Sequence, residues 1–511
     1  MSVSRLLLTT TALGALMIAA PATAQKSKNT LRIAFTDPIS IVDLIHDPKP
    51  ETALTARIVF DGLVHFDDFS KEFKPLLAKS WKRVDELTLE FELRDDVKFH
   101  DGSQFDADDA VYTINWLIDP KTKVRFKTNY IWIGGVEKLG QYKIRIKTKR
   151  PAPEGLMRLA KSIPMFPSDV HGALANKATF GKKPIGTGPW RVTSISPTDG
   201  IKMSSRKIAH GGDFKNATNV KNVHAVPIPN RQTQVAQLLT GGVDLVRGLR
   251  RDQVNNLAAN PQFGVTATTG MLYSYILFDA ANRSGKSQLS DINVRKAILQ
   301  GIDREAIQKN IVAGGAEDPV PPALCQEYQL GCDFSPVPYK FDAAKAKAAL
   351  AAAGHPNGFE VTISALGPAG VVAEAVAGQL RKLGIKAGVN RLNFGAYRKQ
   401  QRDGKFQILV SMWSSGGLPD TSSTANMMFA PGPRNYNGDK QLNALRLKGN
   451  SELDEAKRKA AYKAMFDRVN EQAYVIPLTT MPTVFVHSKD VEVLKGSLSP
   501  YGASLSHIRW K

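Results

Sequence analysis

The chain has only two cysteines in 511 residues, and beyond its first 24 positions it has no apolar run long enough to cross a membrane. It has no HExxH or HxxxH histidine pair, no GxSxG nucleophile elbow, no low-complexity tract and no short-period repeat. Those absences exclude the zinc-hydrolase and serine-hydrolase motifs and the solenoid architectures that are readable from sequence. SGKS at 284–287 ends like a phosphate-binding loop, but that motif needs a glycine where Ala280 stands, so the stretch is read as a solvated turn. Lysine and arginine number 68 against 47 aspartates and glutamates, a formal charge of +21. The cations are scattered, without a basic run interleaved with aromatics, so nucleic acid is not the expected partner. Such a field still favours anionic ligands or acidic partners.

What is present begins with an export signal. Arg5 precedes an apolar stretch, and Ala22 and Ala24 supply the small residues that signal peptidase accepts, so cleavage is expected after Ala24. The remaining chain is too long for one core and suits two or three domains. Cys325 and Cys332, with six residues between them, are expected to form a local disulfide in an oxidising compartment, worth about 2–3 kcal/mol by loop entropy.

The acid-rich stretch VKFHDGSQFDADDAVYTINWLIDP, 97–120, raises the possibility of acid/base chemistry. Residue by residue it reads as architecture. Glu90 to Arg94 and Val97 to Phe99 alternate like strands, and His100-Asp101-Gly102 turns the chain. Asp106 suits a helix N-cap and Asp109 the N3 position. Ala110, Val111, Ile114 and Leu117 form the apolar stripe, and Asp119-Pro120 ends the helix. Further on, Asp342 caps an alanine-rich helix that stops at Gly354. Other helices are predicted over 371–383 and 455–471, with strands at 385–389 and 474–478. The alternation is that of an α/β protein.

LAKSW (77–81), LTLEFELRDDVKFHDGSQFDADDAVYT (87–113) and PIGTGPW (184–190) resemble the family 5 solute-binding proteins of ABC importers, the dipeptide-, oligopeptide- and nickel-binding group. LLTGGVDLV (238–246), INVRKAILQGIDREAI (292–307), FDAAKAKAALAAAG (341–354) and QLRKLGIKAGV (379–389) continue the resemblance in the family's order. The resemblance implies a two-lobed periplasmic binding protein of Venus-flytrap form, with an extra subdomain in the first lobe and a two-strand hinge. The first lobe would be 25–270 plus 483–511, with the subdomain at about 55–185, and the second 271–482. The implied function is capture of a small solute, a peptide or peptide-like molecule, for an inner-membrane ABC permease. A monomer is expected, without catalysis, cofactor or protein-held metal.

In relatives that bind peptides, an acid shortly after a tryptophan grips the peptide's ammonium. Here SMWSSGGLPDTSS (411–423) sets Gly416 at that position, and the nearest acid, Asp420, follows Pro419. This leaves two readings open: a shifted loop in which Asp420 still reaches the cleft, or a non-peptide solute such as an organic acid, opine-like conjugate, sugar or metal chelate. Ser414, Ser415 and Gly416 offer hydroxyls and bare backbone for such ligands. Tyr397 and Trp413 resemble the aromatic pair lining nickel-chelate clefts. Tyr275 at a hinge crossing, Ser40 and Ile41 after the first strand, and Arg391 and Arg398 as anion partners complete the candidate set.

Overall fold

A computed structural model describes residues 29–314, 318–496, 498–499 and 503–511; the export signal and the cleavage point after Ala24 lie outside the described residues. Two large mixed sheets form the two lobes. The first has seven strands in the order Phe263–Thr268, Thr483–Ser488, Leu245–Arg247, Thr30–Phe35, Asn222–Pro227, Gly200–Ser205, Trp190–Ser196. The second has five, in the order Lys386–Leu392, Glu360–Leu366, Ile408–Trp413, Tyr273–Phe278, Val475–Thr480. A four-stranded antiparallel sheet of Ala78–Asp85, Thr88–Leu93, Lys143–Thr148 and Ile133–Gly140 forms the extra subdomain of the first lobe.

The chain passes between the large sheets twice. Thr268 pairs with Thr483 on one side of the gap, and Tyr273 pairs with Thr480 on the other. The Met481 N–H donates to the Leu272 carbonyl at 2.9 Å between them. Two short adjacent crossings are what a hinge requires.

Local chemistry explains the elements that frame the site. Asp342 accepts from the Lys345 N–H, and the helix Ala343–Ala352 ends before Gly354, whose φ of +87° suits glycine. The helix expected over 455–471 is observed as Glu455–Glu471; those over 371–383 and the two predicted strands are displaced by one to three residues. In the acid-rich stretch Asp106 and Asp109 form a reciprocal capping box, and the second carboxylate oxygen of Asp109 accepts from the Ser168 N–H at 2.7 Å.

Two details depart from expectation. Residues 97–99 form no ladder; they are held by a loop in which the Phe99 N–H donates to the Ser103 carbonyl and the Phe105 N–H to the Val97 carbonyl. His100 is more than a turn residue. It is buried, its Nδ1 accepts from the Gly186 N–H, and its Nε2 lies 2.9 Å from the Gly188 carbonyl. It thereby fastens PIGTGPW across the end of the helix Pro50–Val59. A Cβ at Gly186 or Gly188 would run into the Val59 or Ile58 carbonyl, so both positions need glycine.

Candidate functional site

The strands Glu360–Leu366, Lys386–Leu392 and Ile408–Trp413 are mutually parallel, so the loops that follow them emerge at one edge of the second sheet. Open α/β sheets bind ligands at that edge. The loop after Trp413 reaches across to the first lobe. Gly417 lies there with φ +75°, and a Cβ on it would sit 2.8 Å from Nη2 of Arg57. Leu418 joins Phe66, Met157, Met271 and Leu498 in a small apolar cluster that spans the seam. Arg150 Nη1 donates to the Asn450 carbonyl at 2.9 Å and Arg251 Nη1 to the Lys309 carbonyl at 2.6 Å, closing the lobes at two further points.

Beside the Arg57–Gly417 contact the first lobe contains a chamber of about 480 Å³, within the ~300–1,000 Å³ range of small-molecule sites. The helix Pro50–Val59, the residues around 61–74, the end of the helix Gly155–Lys161, the 214–217 turn and the C-terminal segment wall it. Its charges are organised in pairs. Asp61 is fully buried 2.6 Å from Lys215 and 3.1 Å from Nε2 of His210, and accepts from Thr187 Oγ1. Burial works against its ionisation, but Lys215 and His210 outweigh that and hold the carboxyl well below its usual range. Asp68 is 2.6 Å from Lys161, and Asp67 is paired with Lys74. His65 stacks on Phe214 at 4.4 Å between ring centroids; burial, then Lys215 and Lys161, push its pKa down to about 3, so it stands neutral. Arg57 alone of the chamber's cations has no hydrogen-bond or ion-pair partner among the described residues, and its Nε is buried.

The predicted site residues fall into three groups. Trp413, Ser414, Ser415 and Gly416 occupy the loop at the seam. Trp413 is half-buried with Nε1 donating to Thr424 Oγ1 at 3.0 Å, Ser415 is buried, and Gly416 is exposed at φ +62°. Tyr275 and Tyr397 are buried in the aromatic core behind that loop with adjoining hydroxyls, and Gln401 donates to the Tyr397 oxygen. Arg398 bonds Gln401 at 2.7 Å.

The remaining candidates lie apart. Arg391 is exposed beside Glu374 at the sheet's outer strand. Ser40 is exposed, and Ile41 packs on Gly181, because Asp43 turns the chain by accepting from the N–H groups of Ile45 and His46; Leu44 is the residue of that loop that lines the chamber. Asp420 is fully buried. Both its oxygens are taken by Arg458, at 2.7 and 3.0 Å, and it caps the helix Thr421–Phe429, so its carboxylate does not face the chamber.

Sequence reasoning passed over Arg57. A cation in the last turn of an amphipathic helix is explained by the helix dipole alone, so no motif flagged it.

Cys325 and Cys332 form the expected disulfide. The loop it closes braces the seam: Gln329 Nε2 donates to Ser415 Oγ at 2.5 Å, the Leu330 N–H to the Pro419 carbonyl, and the Thr421 N–H to the Leu330 carbonyl. Replacing both cysteines by serine is expected to lower the unfolding free energy by about 2.5 kcal/mol and to speed amide exchange across 414–421. Unchanged exchange there would show that the brace does not depend on the cross-link.

Comparison with known proteins bears on the family and the fold. The sequence profile of bacterial extracellular solute-binding proteins, family 5 Middle, matches residues 72–436. The chain is 27% identical over 399 residues to heme-binding protein A of Haemophilus influenzae, covering 72% of this chain and 71% of that one. It is 26% identical over 460 residues to the glutathione-binding protein GsiB of Escherichia coli, covering 85% and 86%. Its fold is that of NikZ from Campylobacter jejuni, solved with Ni(L-His), at a TM-score of 0.75 and 23% identity over 95% of this chain and all of that one. With the family profile matching well over half its length, the chain belongs to the bacterial extracellular solute-binding proteins of family 5.

Proposed function

We propose that this solute-binding protein serves an ABC importer: it is exported with cleavage after Ala24, captures a peptide-like solute between its lobes in the periplasm, and docks as a monomer on an inner-membrane permease. Residues 25–270 with 483–511 would act as one lobe, with the subdomain at about 55–185, and 271–482 as the other. The observation that carries the reading is the chamber of about 480 Å³ lying against the loop that the second lobe lays over the first. A chamber of that size accommodates a di- or tripeptide-sized solute, and a micromolar Kd needs only about 8 kcal/mol. The glutathione-binding relatives, similar over 85% of the chain, support a peptide-like ligand.

A second reading, a non-peptide solute, is favoured by one observation. The acid that would grip a peptide ammonium is replaced at the loop tip by Gly416, and the nearby Asp420 is committed to Arg458. Native mass spectrometry of protein purified from periplasm separates the two: a bound mass that fragments as a peptide supports the first, a non-peptide mass the second. A chain that never carries or acquires a small molecule would defeat both.

Trp413→Ala is expected to weaken solute binding at least several-fold, because the indole holds Thr424 and thereby the loop that meets the first lobe. Affinity unchanged within a factor of two in titration calorimetry would remove Trp413 from the site.

A further inference from the structure

We infer that Arg57 anchors an anionic group of the captured solute, a carboxylate or a phosphate. This rests on the chamber being the solute site and names the chemistry it selects. Four cations and three carboxylates line the chamber, Arg57, Lys74, Lys161 and Lys215 against Asp61, Asp67 and Asp68. Each carboxylate is paired with a lysine. Asp68 lies within electrostatic reach of Arg57, but it is committed to Lys161 and to the N–H of Leu498. The guanidinium is therefore left over, half-buried, with a buried Nε–H that nothing among the described residues accepts.

A buried N–H without an acceptor is costly to keep in a folded protein, and a guanidinium is built to take two oxygens of one carboxylate or phosphate. Removing it should relieve the ligand-free protein; retaining it makes sense where an anion arrives. Its position adds a second consequence. The same guanidinium abuts Gly417 of the second lobe, so an anion held there lies where the lobes meet and stabilises the closed form more than the open one.

The test uses the full mature chain, stripped of ligand by unfolding and refolding, as wild type, Arg57→Gln and Arg57→Lys. Each is offered an equimolar mixture of glutathione, citrate, glucose 6-phosphate, Met-Leu dipeptide, ribose and choline, and the retained masses are read by native mass spectrometry. The wild type is expected to retain a solute bearing a net negative charge. Arg57→Gln should retain it at least tenfold less, Arg57→Lys should fall between, and ligand-free Arg57→Gln should melt no lower than wild type. Whether citrate, glutathione or glucose 6-phosphate is kept tells carboxylate from phosphate.

Retention of a neutral or cationic solute, or of an anion that Arg57→Gln keeps equally well, overturns the assignment while leaving solute binding intact. A markedly lower melting temperature for ligand-free Arg57→Gln also overturns it, since the side chain would then be held by the protein itself. A wild type that retains nothing removes the chamber as the solute site, and this inference with it.

Discussion

Asp420→Asn is expected to lower the unfolding free energy by about 3 kcal/mol, and Asp420→Ala by about 1 kcal/mol more. The carboxylate is fully buried and chelated by Arg458, whose Nε in turn donates to the Gly449 carbonyl. Burial alone would raise the Asp420 pKa, but the charge and the two hydrogen bonds of Arg458 prevail and hold it below the usual range. Asparagine keeps the N-cap acceptor toward Ser422 and discards the charge, so it isolates the cost of stranding a guanidinium in the core; alanine removes the cap as well. The carboxyl's pKa is lower folded than unfolded, so its contribution is complete above the unfolded value of about 4 and is lost as the pH falls through the folded one. Urea unfolding at pH 7 checks the first claim, and an Asp420→Asn midpoint indistinguishable from wild type would refute it.

The other large effect is a loss of stability that starts in much milder acid. His100 and His171 are buried with pKa values pushed down to about 4, and His65 down to about 3, in each case chiefly by burial. His100 accepts from the Gly186 N–H, and His171 faces the Tyr112 hydroxyl at 2.7 Å amid Trp116, Phe166 and Phe180. None of these settings welcomes a second ring proton. Between about pH 6.5 and 4 the unfolded chain therefore binds more protons than the folded one, and stability falls as the pH falls, each histidine contributing up to about 1.4 kcal/mol per pH unit. Below that window the histidine loss levels off and the depressed carboxyls of Asp61 and Asp420 take over. The expected record is a urea midpoint that declines steadily from pH 7 to 5, with His171→Phe flattening part of the slope. A midpoint constant over that range would show that these rings already carry their charge in the fold.

How much could be read beforehand depended on whether a residue's partners were its neighbours in sequence. The capping box at Asp106, the Asp342 cap and the helix Glu455–Glu471 rest on contacts within a few positions, and spacing revealed them. Residues 97–99 alternate like a strand, yet their pairing stops at a single bridge from Lys98 to Gln104 in the same loop, and alternation cannot report how far a pairing extends. Likewise GTG at 186–188 was recognisable as a motif, while its cause, the carbonyls of Ile58 and Val59 more than a hundred residues earlier, was not. The disulfide was legible because its partners are close in sequence and pairing in an oxidising compartment is the simplest outcome. The site itself was half legible. Trp413 and its loop stood out by departing from a pattern, whereas Asp420 looked available until Arg458, 38 positions on, was seen to hold it. Arg57 matters through what it lacks, and an unmet donor leaves no trace in a string of letters.

The paired crossings between the sheets carry one more implication. Tyr273 and Thr480 are register partners, so the chain leaves for the second lobe and comes back at nearly the same point. On the far side of the gap Thr268 and Thr483 are partners too. The intervening two hundred or so residues are thus a parenthesis in the text of the first lobe. An exchange of everything between those two points would leave the seven-stranded sheet with unaltered ends to join, so the half that carries the chamber keeps its form while the half that closes over it is free to be rewritten.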